Sequence, residues 1–234
     1  MASTRPFLQL LRPPNLFTVP GDPLCGALLA GHGQWSWRIL PAIAVSLSAY
    51  CAGLVLNDLA DLPEDLRDRP DRPLPSGAVS RRAAIALAVA FIIAAFAAAA
   101  IVNGALLVLT SLLFVEIFWY NFIAKKNALI APVAMGLCRG LSVLAGAVAI
   151  SPPTPLALCA AGAIALYIAA ITALARNETR NPRIPPRIGA LIRALLFIQA
   201  AFCLLPGGAA WPAALLLLAL WPISRLVASH FYAS

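Results

Sequence analysis

Residues 57–77 read NDLADLPEDLRDRPDRPLPSG and lie between two long apolar segments. The stretch holds six acidic and three basic residues, whereas the whole chain is 62% hydrophobic and only 11% charged. Because isolated charges are costly inside a bilayer, such an uneven distribution is typical of apolar membrane helices joined by polar loops. We therefore predict a membrane domain in which the charged residues of 57–77 take part in the chemistry of the protein.

Apolar runs of about 20 residues, long enough to cross a bilayer, occur on both sides of this stretch. Backbone groups in lipid need internal hydrogen bonds, so these runs are predicted to be α-helices. The sequence thus predicts an all-α, polytopic membrane bundle of about eight transmembrane helices, with residues 1–234 forming a single domain. The predicted spans are residues 16–31, 39–57, 83–102, 104–124, 128–150, 155–175, 188–205 and 209–228.

The 17 basic residues favour one orientation of the bundle. With the N-terminus inside, only Arg38 falls outside and Arg139 within the membrane, and all the others lie at the inner face. We expect an integral protein of a bacterial inner membrane, with both termini and the active site cytoplasmic. The net charge of +8 then mainly reflects the orientation of the helices, and attraction to anionic membrane lipid can reinforce that orientation. No nucleic-acid partner is expected. The five cysteines are scattered singly and are predicted to be packing residues.

The acidic residues of the opening stretch follow a helical spacing. On a continuous helix Asn57, Asp61 and Asp65 lie on one stripe with Asp58 beside it. Carboxylates so placed repel one another unless a cation joins them, and Mg²⁺ takes one or two carboxylates together with substrate phosphate oxygens. The spacing predicts a diphosphate site, although Pro63 is expected to turn the chain between Asp61 and Asp65.

Three arginines follow within reach: Arg67, Arg69 and Arg72. Guanidinium groups match phosphate oxygens in a bidentate manner. The alternative is a solvated loop whose mixed charges pair with one another and hold the helices apart.

Three further charges, Asp22, Glu116 and Arg139, fall inside apolar spans and are expected to face a cavity or a partner. Asn15 precedes Asp22 by seven residues, so both are predicted to project from one face and line a substrate chamber. Two interpretations of Arg139 stay open. In the first, it forms a buried ion pair with Glu116 or Asp22. In the second, it has a functional role, either recognising an acceptor substrate or removing a proton.

Several aromatic residues are candidates to stabilise a cation in such a chamber, and the family resemblance described next implies that this cation is an allylic carbocation. They are Tyr50, Phe118, Trp119, Tyr120 and Phe122.

Three sequence features together resemble the UbiA superfamily of intramembrane prenyltransferases. The N-D-x-x-D-x-x-x-D pattern from Asn57, followed by the RPDRPLPSG stretch at 69–77, is similar to the first aspartate-rich signature of that family. The RPPN stretch at 12–15 resembles the start of its first helix. Tyr120-x-x-x-x-Lys125, with Gly136, Arg139, Gly140 and Gly146, resembles the end of its fourth helix and its fifth helix.

The resemblance covers residues 12–146 and implies a definite architecture. It implies a helical bundle around a cavity that opens sideways to the membrane. It also implies cap loops at about 57–82 and 176–187 over a Mg²⁺-diphosphate site.

The second half departs from the family pattern. Members usually carry a second acidic signature at the inner end of helix six, where this chain reads ARNETR at 175–180 and only Glu178 supplies a carboxylate. The family also typically has nine helices, so a terminal helix is expected to be missing here. Four arginines are predicted to neutralise diphosphate in place of a second metal ion: Arg176, Arg180, Arg183 and Arg187.

The resemblance implies a Mg²⁺-dependent prenyltransferase that moves an isoprenyl group from a polyprenyl diphosphate to a small, aromatic or lipid acceptor. A terpene cyclase of the same superfamily and a noncatalytic lipid-binding or lipid-moving protein are the alternatives. The catalytic residues are expected to be Asp58, Asp61, Tyr120 and Lys125. The substrate-binding residues are expected to be Asn15, Asp22, Asn57, Arg67, Arg72, Arg139 and Arg180. The metal ligands are expected to be Asp58, Asp61, Asp65 and Glu178.

Overall fold

A computed structural model of the protein describes residues 4–176 and 184–229, and within these ranges every regular element is helical. Seven helices, α4 to α10 below, are long and apolar enough to cross a membrane. They confirm the predicted polytopic all-α bundle. The helices are α1 (Arg5–Leu11), α2 (Pro13–Leu16), α3 (Gly21–Ala30), α4 (Ile39–Asp68), α5 (Arg81–Ala100), α6 (Gly104–Phe122), α7 (Ile130–Ile150), α8 (Pro155–Ala175), α9 (Ile184–Leu204) and α10 (Trp211–Ala228).

The predicted first span is broken, and the expectation of one continuous helix over 16–31 is wrong. The short helix α2 ends at Leu16, a turn follows, and α3 begins at Gly21. Pro20 and Pro23 cannot donate the backbone hydrogen bonds that a continuous helix needs there. The break separates Asn15 from the face that carries Asp22.

Helix α4 extends well beyond the thickness of a bilayer core. Its 30 residues span roughly 45 Å at 1.5 Å per residue. The predicted turn at Pro63 is wrong, because the helix continues through it to Asp68. Pro63 is exposed, so water can satisfy the carbonyl of Leu59 that loses its intrahelical partner. The acidic stripe therefore lies on one continuous helix, which extends beyond the apolar core.

The centre of the bundle is the contact between α3 and α7. All ten residues of α3 are buried, and α7 also borders α4, α6 and α8. Two glycines allow the close approach. A Cβ atom on Gly26 would lie 1.9 Å from the carbonyl oxygen of Val143, and one on Gly146 would lie 1.9 Å from that of Pro23. This packing fixes α7 as the inner wall of the cavity described below.

Side-chain caps set the start of three outer helices. Ser80, Asn103 and Thr154 accept hydrogen bonds from the backbone N–H three residues ahead, at the N-termini of α5, α6 and α8. Such caps satisfy donors that have no partner within the helix. The five cysteines are free thiols, as the sequence predicts for packing residues, although Cys159 is exposed.

Candidate functional site

Each aspartate of the stripe on α4 is paired with a cation from another part of the chain. Asp58 lies 3.2 Å from Arg12, at the junction of α1 and α2. Asp61 pairs with Lys125, on a 3₁₀ turn that follows α6. The charged end of the bundle is therefore a set of alternating carboxylates and cations, and it brings together the predicted catalytic residues Asp58, Asp61 and Lys125.

Asn57 links the second of these pairs. Its Nδ2 donates to Asp61 Oδ2 at 3.1 Å, and its Oδ1 accepts from Lys125 Nζ at 3.5 Å. Neutral amide and charged groups thus share one hydrogen-bonded cluster.

Asp65 anchors the loop that follows α4. It is only 3% exposed, and its carboxylate accepts from Arg72 Nη1 at 2.9 Å with Arg69 Nη1 at 3.8 Å. The loop is thereby folded back onto the helix. Arg67, a predicted phosphate contact, is exposed and forms no ion pair with any residue that the structure describes.

Arg12 is a site residue that sequence reasoning did not assign, although it opens the RPPN stretch at 12–15. It pairs with Asp58, borders the cavity, and has φ 46°, in the left-handed region. Non-glycine residues held in this region are often found at functional sites. The sequence feature that could have identified Arg12 is its position before two prolines. Prolines interrupt a helix and so fix the direction of the preceding side chain.

A cavity of about 170 Å³ lies beside this cluster, between α4, α6 and α7. Its charged end is formed by Arg12, Asn57 and Tyr120, and Tyr50 lies deeper on α4. Of the aromatic candidates, the two tyrosines alone border the cavity. The three remaining candidates are exposed on the outside of α6, where two of them stack at 6.1 Å: Phe118, Trp119 and Phe122.

Buried polar side chains form the deep wall. Arg139 Nε lies 2.7 Å from Asp22 Oδ2, which decides between the two partners that the sequence left open. Arg139 Nη2 donates to Thr18 O at 2.9 Å, and Gln199 Nε2 donates to Thr18 O at 2.8 Å and to Asp22 Oδ1 at 2.6 Å. Thr18 and Gln199 were not foreseen from the sequence, because neither belongs to a recognisable motif.

Asp22 itself does not line the cavity, contrary to the expectation. It is 0% exposed and lies behind Arg139, whose side chain does border the cavity. The prediction that Asp22 and Asn15 share a face depended on a continuous helix. The break before Gly21 places the two residues on separate helices. Asn15 is buried, and Glu116 Oε1 is buried without a hydrogen-bond partner among the residues described.

The donor set suits a metal ion that shares its coordination with a substrate. In the described part of the chain no three His, Cys, Asp or Glu side chains are close enough to hold a metal ion by themselves. Asp58 and Asp61 are oxygen donors on adjacent faces of α4, and one or two carboxylates with phosphate oxygens are a common Mg²⁺ set. The residues present thus fit Mg²⁺ brought with a diphosphate.

The predicted second cap loop lies largely outside the described residues. Glu178, Arg180 and Arg183 fall in that part of the chain, and their roles stay predictions. Arg187 is exposed on α9. Arg176 Nη1 donates to the backbone oxygens of Lys125 and Asn127 at 3.3 and 3.4 Å. Arg176 thereby supports the turn that carries Lys125.

The family model described as "UbiA prenyltransferase family" matches residues 23–234. The chain belongs to the UbiA prenyltransferase family. This agrees with the acidic stripe on α4 and the cavity beside it.

A relative of the chain is the digeranylgeranylglyceryl phosphate synthase of Methanothermobacter thermautotrophicus, 32% identical over 150 residues. The alignment covers 61% of this chain and 50% of the relative. This UbiA family member thus spans about half the length of the relatives it matches.

Solved structures share the fold. A UbiA homologue from Archaeoglobus fulgidus bound to GPP and Mg²⁺ superimposes with a TM-score of 0.64 at 17% identity, covering 96% of this chain and 87% of the other. The apo structure of a UbiA homologue from Aeropyrum pernix K1 gives 0.60 at 23% identity, covering 91% and 88%. The bundle of this chain is thus a UbiA-type fold.

Proposed function

We propose that this UbiA family member is a Mg²⁺-dependent prenyltransferase acting on a polyprenyl diphosphate. The observation that carries the proposal is the position of Asp58 and Asp61 on α4, because their hydrogen-bond partners Arg12 and Asn57 border a mainly apolar cavity. A prenyl diphosphate has the same division, because its anionic head is joined to an apolar chain. The similarity of the chain to a digeranylgeranylglyceryl phosphate synthase supports this assignment.

Asp58 and Asp61 are the side chains that would hold the metal ion, and Asp65 keeps the adjoining loop in place. When bound, Mg²⁺ would neutralise charge on the diphosphate leaving group and so assist cleavage of the carbon–oxygen bond. Glu178 is the further metal candidate of the second loop.

The cations of the site have a second role in this proposal. Arg12 and Lys125 are held by carboxylates in the free protein, and both carry donors that match phosphate oxygens. Transfer of these cations from carboxylate to phosphate keeps the charge balanced while the substrate enters. Arg72 and Arg180 are further candidates for phosphate contacts.

The reacting carbon would lie just inside the mouth. Tyr120 borders the cavity there and Tyr50 lies deeper, and the ring faces would stabilise positive charge that develops as the carbon–oxygen bond breaks. An acceptor nucleophile then attacks the same carbon. We place this face of the bundle on the cytoplasmic side of a bacterial inner membrane, because the basic residues concentrate there.

Diphosphate release from geranyl, farnesyl and geranylgeranyl diphosphates tests the proposal, using purified protein with Mg²⁺ and a panel of phenolic and lipid acceptors. Asp61→Asn is expected to lower release by about 10² to 10³-fold, a range typical of lost electrostatic stabilisation. Asp71→Asn is the matched control, since Asp71 is exposed on the loop. Equal release by both variants would contradict the proposal.

The same measurement separates the two alternatives. Release that needs no acceptor and yields a cyclic product would identify a terpene cyclase. Binding of prenyl diphosphate without release would identify a noncatalytic lipid-binding protein. The single carboxylate of the 175–180 stretch is the sequence feature that favours this last outcome.

A further inference from the structure

The deep wall of the cavity carries polar groups that diphosphate binding does not use. Ser46, Ser142 and Arg139 all border the cavity. Ser46 precedes Asn57 by eleven residues on α4, which places it roughly 16 Å from the charged mouth at 1.5 Å per residue. These groups are therefore too far along the helix to bind the diphosphate.

One edge of the Arg139 guanidinium is already engaged. Its Nε and Nη2 face Asp22 and the carbonyl of Thr18. Its Nη1 donates to no residue that the structure describes, although the side chain is only 9% exposed and borders the cavity. A guanidinium has five N–H donors in a fixed plane, so the free edge offers donors to a molecule inside the cavity.

The two serines add acceptors beside that donor. Ser46 Oγ and Ser142 Oγ lie 2.7 Å apart and are both buried. One hydroxyl donates to the other, and lone pairs remain on each oxygen because a hydroxyl accepts up to two hydrogen bonds. The wall thus presents a donor and acceptors together, which suits a hydroxyl group that both donates and accepts.

Charge decides which hydrogen-bonding groups fit. The positive charge of Arg139 is compensated by the fully buried carboxylate of Asp22. A phosphate or carboxylate placed there would add an uncompensated negative charge in a buried site, which is strongly unfavourable. An uncharged oxygen function adds no such charge.

We propose that Arg139, Ser46 and Ser142 form an acceptor subsite for an uncharged, hydroxyl-bearing molecule with a largely apolar body. This inference rests on the proposed prenyl transfer and names the class of its second substrate. Because the subsite is remote from the mouth, the oxygen held there is not the atom that attacks the prenyl carbon. The acceptor would share the cavity with the prenyl chain, with a polar oxygen at the deep end and the nucleophile near Tyr120.

Binding of 2-naphthol and 2-naphthoate to purified protein in nanodiscs, at pH 7 and without prenyl diphosphate, tests the subsite. The two probes share one ring system and differ in charge. Protein-free nanodiscs give the background from lipid partitioning. We expect 2-naphthol to bind at least about tenfold more tightly than 2-naphthoate, a difference comparable to the contribution of one hydrogen bond.

Two sets of variants identify the side chains responsible. Ser46→Ala with Ser142→Ala keeps both charged members of the Arg139–Asp22 pair and is expected to weaken 2-naphthol binding about tenfold. Ser111→Ala is the matched control, because the Ser111 hydroxyl donates to Leu107 O on an exposed face of α6. Asp22→Asn leaves Arg139 uncompensated and is expected to reverse the preference toward 2-naphthoate.

Tighter binding of 2-naphthoate by the unmodified protein overturns the proposal, as does the absence of 2-naphthol binding above the nanodisc background. Unchanged binding in the double serine variant overturns it independently of whether Asp22→Asn folds. No turnover is needed, so failure of prenyl transfer and failure of the subsite are separate results.

Discussion

Arg139 of α7 and Asp22 of α3 form an ion pair, with 2.7 Å between Nε and Oδ2, in the interior of the bundle. Asp22 is 0% and Arg139 7% exposed. The pair joins the two helices whose glycines pack backbone to backbone, and it cancels the charge that the cavity wall would otherwise present. One contact therefore serves helix packing and the chemistry of the cavity.

Removing only one partner of this pair is expected to destabilise the protein strongly. Arg139→Met leaves a buried carboxylate without its counter-charge, at a cost of about 3–5 kcal/mol. The double variant Asp22→Asn with Arg139→Gln replaces both charged side chains with uncharged ones of similar shape. It is expected to lose less unfolding free energy than Arg139→Met. Unfolding by denaturant in mixed micelles measures both, with Arg82→Met, an exposed arginine, as control. A double variant less stable than Arg139→Met would refute the charge argument.

Asp65 and Arg72 are expected to be energetically coupled, since their 2.9 Å contact holds the loop after α4 to the helix. A double-mutant cycle with Asp65→Asn and Arg72→Gln is predicted to give a coupling of about 1–2 kcal/mol in unfolding free energy. Asp68→Asn, on the exposed side of the same turn, replaces Asp65→Asn in the control cycle. Independent effects of Asp65 and Arg72 would show that the loop is held by other contacts.

Gly146→Ala is predicted to force α3 and α7 apart, because the new Cβ would lie 1.9 Å from Pro23 O. Backbone atoms cannot yield as a flexible side chain does, so we expect a loss of about 1–3 kcal/mol or more in unfolding free energy. Gly162→Ala on α8 meets nothing within 4 Å and is expected to be neutral or slightly stabilising through helix propensity. Equal effects at the two positions would contradict the close packing.

Arg12→Gln is expected to weaken binding of prenyl diphosphates about tenfold through loss of a charge-assisted contact. Its lost charge also leaves Asp58 without the 3.2 Å partner that it has in the free protein. Equilibrium binding with Mg²⁺ at two salt concentrations measures the change, because an electrostatic contact loses strength at higher salt. Arg5→Gln, an exposed arginine of α1, is the control, and a similar loss there would exclude a specific role for Arg12.

Local patterns in the sequence were enough to predict the membrane bundle, seven of the eight helical spans and the acidic stripe of α4. These features depend on local constraints: an apolar run in lipid must be helical, and residues four apart on a helix share a face. The stripe continues through Pro63 because the proline lies on an exposed surface near the helix end. The family resemblance likewise rested on motifs that are contiguous in the chain.

The pairing of the charged side chains depends on the tertiary structure. Asp58 pairs with Arg12 across 46 residues of chain, and Asp61 pairs with Lys125 across 64. Arg139 pairs with Asp22 rather than Glu116 because α3, after the break at Pro20, packs directly on α7. Helix periodicity fixes the face on which a side chain lies, but its partner depends on how separate helices pack, which no local pattern encodes.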